Sequence, residues 1–396
     1  MSLKIKLTST ILAFCLILGL LVMGVFATSQ ATVKLGGSIS FTAKNVYAKV
    51  SAEITNSKSD PEIEPITFNN ETTDEEATET WTNPLSFKDT GDTITISLTI
   101  ENLASDRPLY ATLYDSIGEV DNLTKTKSYD GETYFNSQIT VEAKTSETIT
   151  LTLGVTDLNT SVDASYGYGV ELSNDPFEAL AMTDGLVTMG TYGAESTPVQ
   201  WKLVAVDDVP YTGTSIPVSG KGMFVQETVT DKGQVFRADF EASDANDYAV
   251  SDIKTYLDGY ASVLGITDLS ADAVGSKIQA REMTDLYKGM AWRTDDEYQI
   301  EDIEKEGLTG SANFWLMSVE EVYRYVGKGT MTNNIIPSDW SSSVKDNAVW
   351  NSQVYWLRSP YPDDSYCAFY VDYGGAWSYY DVYRAYAVRA AFNLEF

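Results

Sequence analysis

Val354-Tyr355-Trp356-Leu357-Arg358-Ser359-Pro360 reads as a buried strand ended by proline, and Ala387-Val388-Arg389-Ala390-Ala391-Phe392-Asn393-Leu394 reads as a closing strand. Between them, Tyr361 to Tyr386 holds eight of the chain's 25 tyrosines, interleaved with Asp, Ser, Gly and Ala and free of Lys, Glu, Gln, Met and Asn. Tyr, Ser and Gly are the residues of antibody loops: tyrosine offers contact area and a hydroxyl while freezing few rotamers. The segment is therefore expected to be a contact surface, the alternative being a fixed, tyrosine-rich hairpin.

Working outward, Val199-Gln200-Trp201-Lys202-Leu203-Val204-Ala205-Val206 predicts a strand, while Tyr248 to Leu264 and Ser318 to Tyr325 carry apolar residues at helical spacing. Mixed elements predict an α+β domain over 184–396. A break at 173–183, containing Asp175-Pro176, is expected to be a linker. Before it, Thr93-Ile94-Thr95-Ile96-Ser97-Leu98-Thr99-Ile100 and Glu147-Thr148-Ile149-Thr150-Leu151-Thr152-Leu153 alternate with period two, the mark of strands with one buried face. Turn signals at Asn83-Pro84, Thr90-Gly91-Asp92, Asp106-Arg107-Pro108 and Asp130-Gly131 are spaced as in an antiparallel sandwich, so 28–172 is expected to be an all-β sandwich, with the acidic run Asn69 to Glu79 as a solvated loop.

Residues 1–27 read as an export signal: Lys4 and Lys6, an apolar run from Ile11 to Phe26, then Val25-Phe26-Ala27 at the cleavage site. An uncleaved anchor also fits the run. Cys15 lies inside that signal, which leaves Cys367 alone and no intramolecular disulfide after cleavage. At 396 residues two domains are natural, and 43% hydrophobic residues suffice for two cores. A net charge of -30 disfavours nucleic acid and anionic membrane surfaces as partners. The absence of histidine removes the commonest general base, the Ser-His and Cys-His pairs and the commonest zinc ligand.

Trp356-Leu357-Arg358-Ser359-Pro360, Val371, Gly375, Val382 and Val388 to Leu394 resemble a bacterial domain of unknown function that ends in a W-L-R-S-P to G-V-R-P-A-F-N-L signature. Val187 to Tyr192, Trp201 to Val204, Ser251 to Leu257 and Phe314 to Glu321 extend the resemblance over 184–396. Ala387 and Ala390 depart from it, standing where that family has glycine and proline. The resemblance implies a C-type-lectin-like fold shared with formylglycine-generating enzymes, and a kinship with variable proteins of diversity-generating retroelements, which randomise adenines in asparagine codons. Such mutation never yields Lys, Glu, Gln, Met or Trp, and within the segment Trp377 alone departs from that rule. On this reading the candidate ligand-binding positions are Tyr361, Asp363, Asp364, Ser365, Tyr366, Tyr370, Asp372, Tyr373, Ser378, Tyr379, Tyr380, Asp381, Tyr383, Arg384 and Tyr386, held by a framework of Trp356, Arg358, Trp377, Val388, Arg389 and Phe392.

Other motifs carry less. Formylglycine generation needs a cysteine pair, and Cys367 stands alone. Ser342-Ser343-Val344-Lys345 has the Ser-x-x-Lys spacing without the companion motifs of penicillin-binding enzymes, and Gly220-Lys221 lacks the rest of a phosphate loop. Asp207-Asp208 and Asp295-Asp296-Glu297 lack a calcium-loop pattern.

The expected whole is an exported, secreted or surface-associated protein: an all-β sandwich followed by an α+β, C-type-lectin-like domain that holds a protein or glycan ligand, with no cofactor, metal or catalysis. Gly36-Gly37-Ser38-Ile39-Ser40-Phe41 and the Thr-rich strands resemble β-sandwich subunits of Gram-positive matrix fibres. That makes a self-assembling fibre subunit the first alternative and a carbohydrate-active enzyme the second.

Overall fold

The computed structural model describes residues 34–44, 46–57, 65–68, 74–87, 91–115, 123–155, 163–213, 215–227, 229, 231–294, 297–301, 310–326, 353–361, 364–373 and 377–396. They fall into two compact units, Met1–Phe177 and Glu178–Phe396. The export signal, the Ser342 motif, Asp295-Asp296, Asp363 and Gly375 lie outside the described residues. No helix among the described residues is long and apolar enough to cross a membrane.

In the first unit, the alternation of Thr93–Asn102 is met in register by Ser146–Val155: Ile94 faces Leu153, Ile96 faces Leu151 and Leu98 faces Ile149. All six are buried, while the threonines between them turn outward. These two strands form the middle of a sheet ordered Ile66–Phe68, Ala48–Thr55, Thr93–Asn102, Ser146–Val155, Leu123–Tyr129, Glu132–Thr133. A second sheet, ordered Asp74–Ser86, Lys34–Lys44, Asp163–Ser173, Leu109–Asp115, Ile139–Val141, supplies Phe41, Leu109, Ala111, Leu113 and Val170 to the same core. Asp130 and Gly131 both take positive φ, 50° and 79°, as a two-residue hairpin turn requires.

Part of the expected acidic loop is a strand. Asp74–Ser86 pairs antiparallel with Lys34–Lys44 along the sheet edge, and the expected turn at Asn83-Pro84 falls at a register shift inside it. An edge strand and a bulge both tolerate proline's missing N–H, so Pro84 interrupts the ladder without ending the strand.

The second unit corrects the larger expectation. Among the described residues the structure is mostly β-sheet, in several sheets, with only three short α-helices, so the unit is not an α+β, C-type-lectin-like domain. The apolar spacing from Tyr248 to Leu264 does bury Tyr248, Ile253, Leu257, Tyr260 and Leu264, but over one 3-10 turn and two helices, Asp252–Asp258 and Tyr260–Val263, parted at Gly259. Ser318 to Tyr325 is likewise one short α turn, Val319–Glu321, running into a wider π turn, Val322–Val326. Helical spacing recorded which residues are covered, and the sheets do the covering.

The largest of those sheets runs Leu186–Tyr192, Thr197–Val206, Lys221–Gln226, Ala390–Glu395, Ile278–Gln279, and the next runs Asp231–Val235, Ala385–Val388, Tyr355–Pro360, Cys367–Val371, Trp377–Asp381; two two-stranded pairs, Arg281–Glu282 with Ser311–Ala312 and Met290–Thr294 with Glu297–Glu301, stand beside them. The expected single closing strand is therefore two strands in different sheets, divided at Arg389. Buried Arg389 donates through Nη1 to the carbonyls of Gln226 (2.7 Å) and Glu227 (2.6 Å), and its guanidinium lies 4.7 Å from the Tyr355 ring centre. Side-chain donors thus occupy carbonyls where the chain changes sheets. Beside this step Phe392 stacks on Phe224 at 5.4 Å and meets Trp201 edge-on at 4.8 Å.

Arg358 is completely buried and spends its donors on the carbonyls of Leu286 and Leu316 and on both carboxylate oxygens of Glu321. Glu321 also accepts from Arg281 at 2.7 Å and from the Ser318 amide at 2.9 Å, closing a capping box. Burial alone would raise the Glu321 carboxyl, but Arg358 and Arg281 outweigh it and hold the group at about 2, below its ordinary 4.5. Its stabilisation is therefore fully present above about 4.5 and lost as pH falls through about 2. Glu321→Ala, which strands Arg358, is expected to cost about 3–5 kcal/mol in urea unfolding and to flatten the acid limb of stability against pH.

Candidate functional site

The tyrosine-rich segment is built on a hairpin. Cys367–Val371 pairs with Trp377–Asp381 so that Ala368 faces Tyr380, Phe369 faces Tyr379, Tyr370 faces Ser378 and Val371 faces Trp377; on the other side Tyr370 faces Trp356. Because side chains alternate along a strand, Tyr379 and Tyr380 point to opposite sides of an edge strand. The candidate residues therefore divide into two groups.

On one side, Tyr361 is buried, stacks on Tyr379 at 3.7 Å with ring planes 13° apart, and meets Phe369 edge-on at 5.8 Å. On the other, rings follow one another in a row. Trp356 contacts Tyr386 (4.8 Å) and Tyr370 (6.3 Å), and both tyrosines contact Tyr380 at 6.4 Å. Arg384 lies over Tyr380 (5.3 Å) and Tyr383 (5.2 Å), Tyr383 packs on Phe240 (5.1 Å), and Phe240 meets Tyr366 edge-on (6.5 Å). The row runs from buried Trp356 through half-buried Tyr370 and Tyr386 to Tyr380, Tyr383, Phe240 and Tyr366, each 40–45% exposed. Each outer ring is braced by its neighbours and keeps a face or edge in water.

Tyr373 is 73% exposed. Asp364, Ser365, Asp372, Ser378 and Asp381 are half-buried and Arg384 is exposed. Of the expected framework, Trp356, Arg358, Trp377, Val388, Arg389 and Phe392 are all buried.

Two contributors escaped the sequence reading. Phe240, in Ala238-Asp239-Phe240-Glu241, bridges Tyr383 and Tyr366 from a distant part of the chain; a lone phenylalanine between acidic residues was its one signal. Asn246, nearly buried, donates through Nδ2 to the carbonyls of Tyr361 (2.9 Å), Asp364 (3.1 Å) and Cys367 (3.0 Å), tying down the turn that presents Tyr366.

Burial, then the Asp364 and Asp381 carboxylates at 3.9 and 3.8 Å, push the Cys367 thiol up to about 12, so it stays a thiol and not a nucleophilic thiolate. Burial, with Tyr370 and Tyr380 close by, raises the Tyr386 phenol to about 12, and a hydrogen bond to Asp381 raises Tyr383. Near neutral pH these phenols remain hydrogen-bond donors. No group of three or more His, Cys, Asp or Glu side chains among the described residues is placed to hold a metal ion.

Residues 219–396 match the family model described as Domain of unknown function (DUF6273). The match covers less than half of the chain and begins at 219, after the strands Leu186–Tyr192 and Thr197–Val206. It includes the hairpin, Phe240 and Asn246, and ties this surface to an uncharacterised domain. No curated protein matches the chain.

Asn246→Ala removes one donor shared by three carbonyls, and is expected to cost about 1–3 kcal/mol. Amide exchange measured by mass spectrometry should quicken around 364–367 and remain unchanged in Thr93–Asn102 of the other unit.

Proposed function

We propose that the second unit is the ligand-binding part of an exported protein, and that it holds a protein or glycan ligand against the aromatic row from Tyr386 and Tyr380 through Arg384 and Tyr383 to Phe240 and Tyr366. The observation that supports this most is the row itself: Tyr386 and Tyr380 6.4 Å apart, Arg384 bridging Tyr380 to Tyr383, and Tyr383, Phe240 and Tyr366 in contact at 5.1 and 6.5 Å, with Tyr380, Tyr383, Phe240 and Tyr366 still open to water. An exposed aromatic that is already packed loses little side-chain entropy when a partner covers it, so most of the burial energy is retained as affinity. Tyrosine and arginine dominate binding surfaces for that reason. The Tyr380 hydroxyl donates, the Tyr383 hydroxyl, whose proton goes to Asp381, accepts, and Arg384 offers a planar cation at the centre.

The same geometry separates the candidate variable positions. Tyr366, Tyr373, Tyr380, Tyr383 and Arg384 can change without opening the core, whereas Tyr361, Tyr370 and Tyr386 hold other rings in place. Diversification by a retroelement would act on the first set; a near-duplicate of the gene's last stretch, differing mainly at adenines and lying beside a reverse transcriptase, would be its mark.

Capture from glycan and surface-protein arrays by the intact chain tests the binding reading. Tyr380→Ala, Tyr383→Ala and Phe240→Ala are each expected to weaken capture by about 30-fold, the effect of losing about 2 kcal/mol at a hot spot. Tyr379→Ala, on the opposite side, should leave it within about threefold, well inside one hot-spot energy. Equal capture by the three row variants and the parent chain would sink the proposal.

A further inference from the structure

Among the described residues, the largely apolar core of the first unit holds one buried lysine. In Leu123–Tyr129, Leu123 and Tyr129 pack against the core, and Lys125 and Lys127 share their face; Lys127 stands opposite buried Leu151. In Leu109–Asp115 of the other sheet, Leu109, Ala111 and Leu113 line the core, and Asp115 follows them on the same face with its side chain 5% exposed. Asn136, completely buried, lies in the loop that leads to Ile139–Val141, also in that other sheet. A lysine, an aspartate and an asparagine thus meet between two sheets.

Their distances are not those of a simple ion pair. Lys127 Nζ lies 3.5 Å from Asp115 Oδ1, longer than the roughly 2.7–2.9 Å of a charge-assisted hydrogen bond, but 2.5 Å from Asn136 Oδ1. With a carbonyl bond of about 1.23 Å, the amine is within about 3.7 Å of the Asn136 Cγ, close to the roughly 3–3.5 Å of a near-attack arrangement. The asparagine is held for it. Its backbone takes φ 56°, the Thr112 hydroxyl donates to its carbonyl at 3.1 Å, and beside it the Tyr134 hydroxyl accepts from the Leu113 amide (2.9 Å) and donates to the Ser137 carbonyl (2.7 Å).

We infer that Lys127 and Asn136 form an intramolecular isopeptide bond, with Asp115 as the proton relay. Asp115 takes a proton from the Lys127 ammonium. The freed amine lone pair forms a bond to Asn136 Cγ while the carbonyl pair moves onto Oδ1. A proton passes from the attacking nitrogen through Asp115 to Nδ2, the carbonyl reforms, and the Cγ–Nδ2 bond breaks. Ammonia leaves, taking the proton that Asp115 holds, so the net change is ammonium plus carboxamide to substituted amide plus ammonium ion. No oxidant or co-reactant is needed. The bond ties the strand of one sheet to the loop that enters the other, in a chain whose single cysteine outside the apolar N-terminal run has no second cysteine to pair with.

Mass spectrometry of the intact purified chain, with both termini mapped, tests this directly. The expected mass is lower than that of the sequence by one ammonia. Trypsin should fail to cut after Lys127 and release residues 126–144 as a single looped peptide. Asp115→Ala is expected to restore both the full mass and the cut. A parent chain of full mass that is cut after Lys127 overturns the proposal whether or not the variant folds. Loss of ammonia with the cut after Lys127 intact, as from a succinimide at Asn136, or a bond traced to Lys125, overturns it too.

Discussion

Glu321 is the point on which the second unit closes. One carboxylate meets Arg358 from the strand Tyr355–Pro360, Arg281 from the short strand Arg281–Glu282, and the Ser318 amide at the head of its own helical turn. Burying such a group is tolerable only when each charge finds partners, and Arg358 meets that condition by also donating to the carbonyls of Leu286 and Leu316. Three stretches far apart in sequence are thereby locked to one strand. That strand also carries Trp356, the inner end of the aromatic row, so the position of the surface depends on an ion cluster beneath it.

Arg389 performs a related task at the end of the chain. It lets the backbone leave one sheet and enter another without stranding the carbonyls of Gln226 and Glu227, and so places Tyr386 in the aromatic row and Phe392 in the apolar core a few residues apart. The first unit is organised differently. There, alternation of apolar residues with threonine does nearly all the work, and the polar trio of Lys127, Asp115 and Asn136 joins its sheets, as does buried Asn102 by donating through Nδ2 to the Val141 carbonyl.

Legibility followed the same division. The strands of the first unit were plain in Thr93 to Ile100 and Glu147 to Leu153 because an edge-on period of two needs only local sequence and one buried face. Asp74–Ser86 was not plain, since an acidic stretch with a proline becomes a strand only when Lys34–Lys44 lies beside it. Helical spacing from Tyr248 to Leu264 named the buried residues and mistook the architecture, because a short turn against a sheet and a longer helix bury the same positions. The aromatic surface was visible as composition, yet the side to which each tyrosine points was not, because alternation begins from a register that the neighbouring strand sets.

The sequence by itself determined that Tyr361 to Tyr386 is rich in tyrosine, that histidine is absent, and that the first region alternates as half-buried strands do, since each follows from residue identity or local period. Tertiary structure alone decided that Tyr379 and Tyr380 part company, that Phe240 and Asn246 join the surface, and that Lys127 meets Asn136 in an apolar core. Those outcomes depend on register and on contacts between residues distant in the chain, and no local pattern carries them.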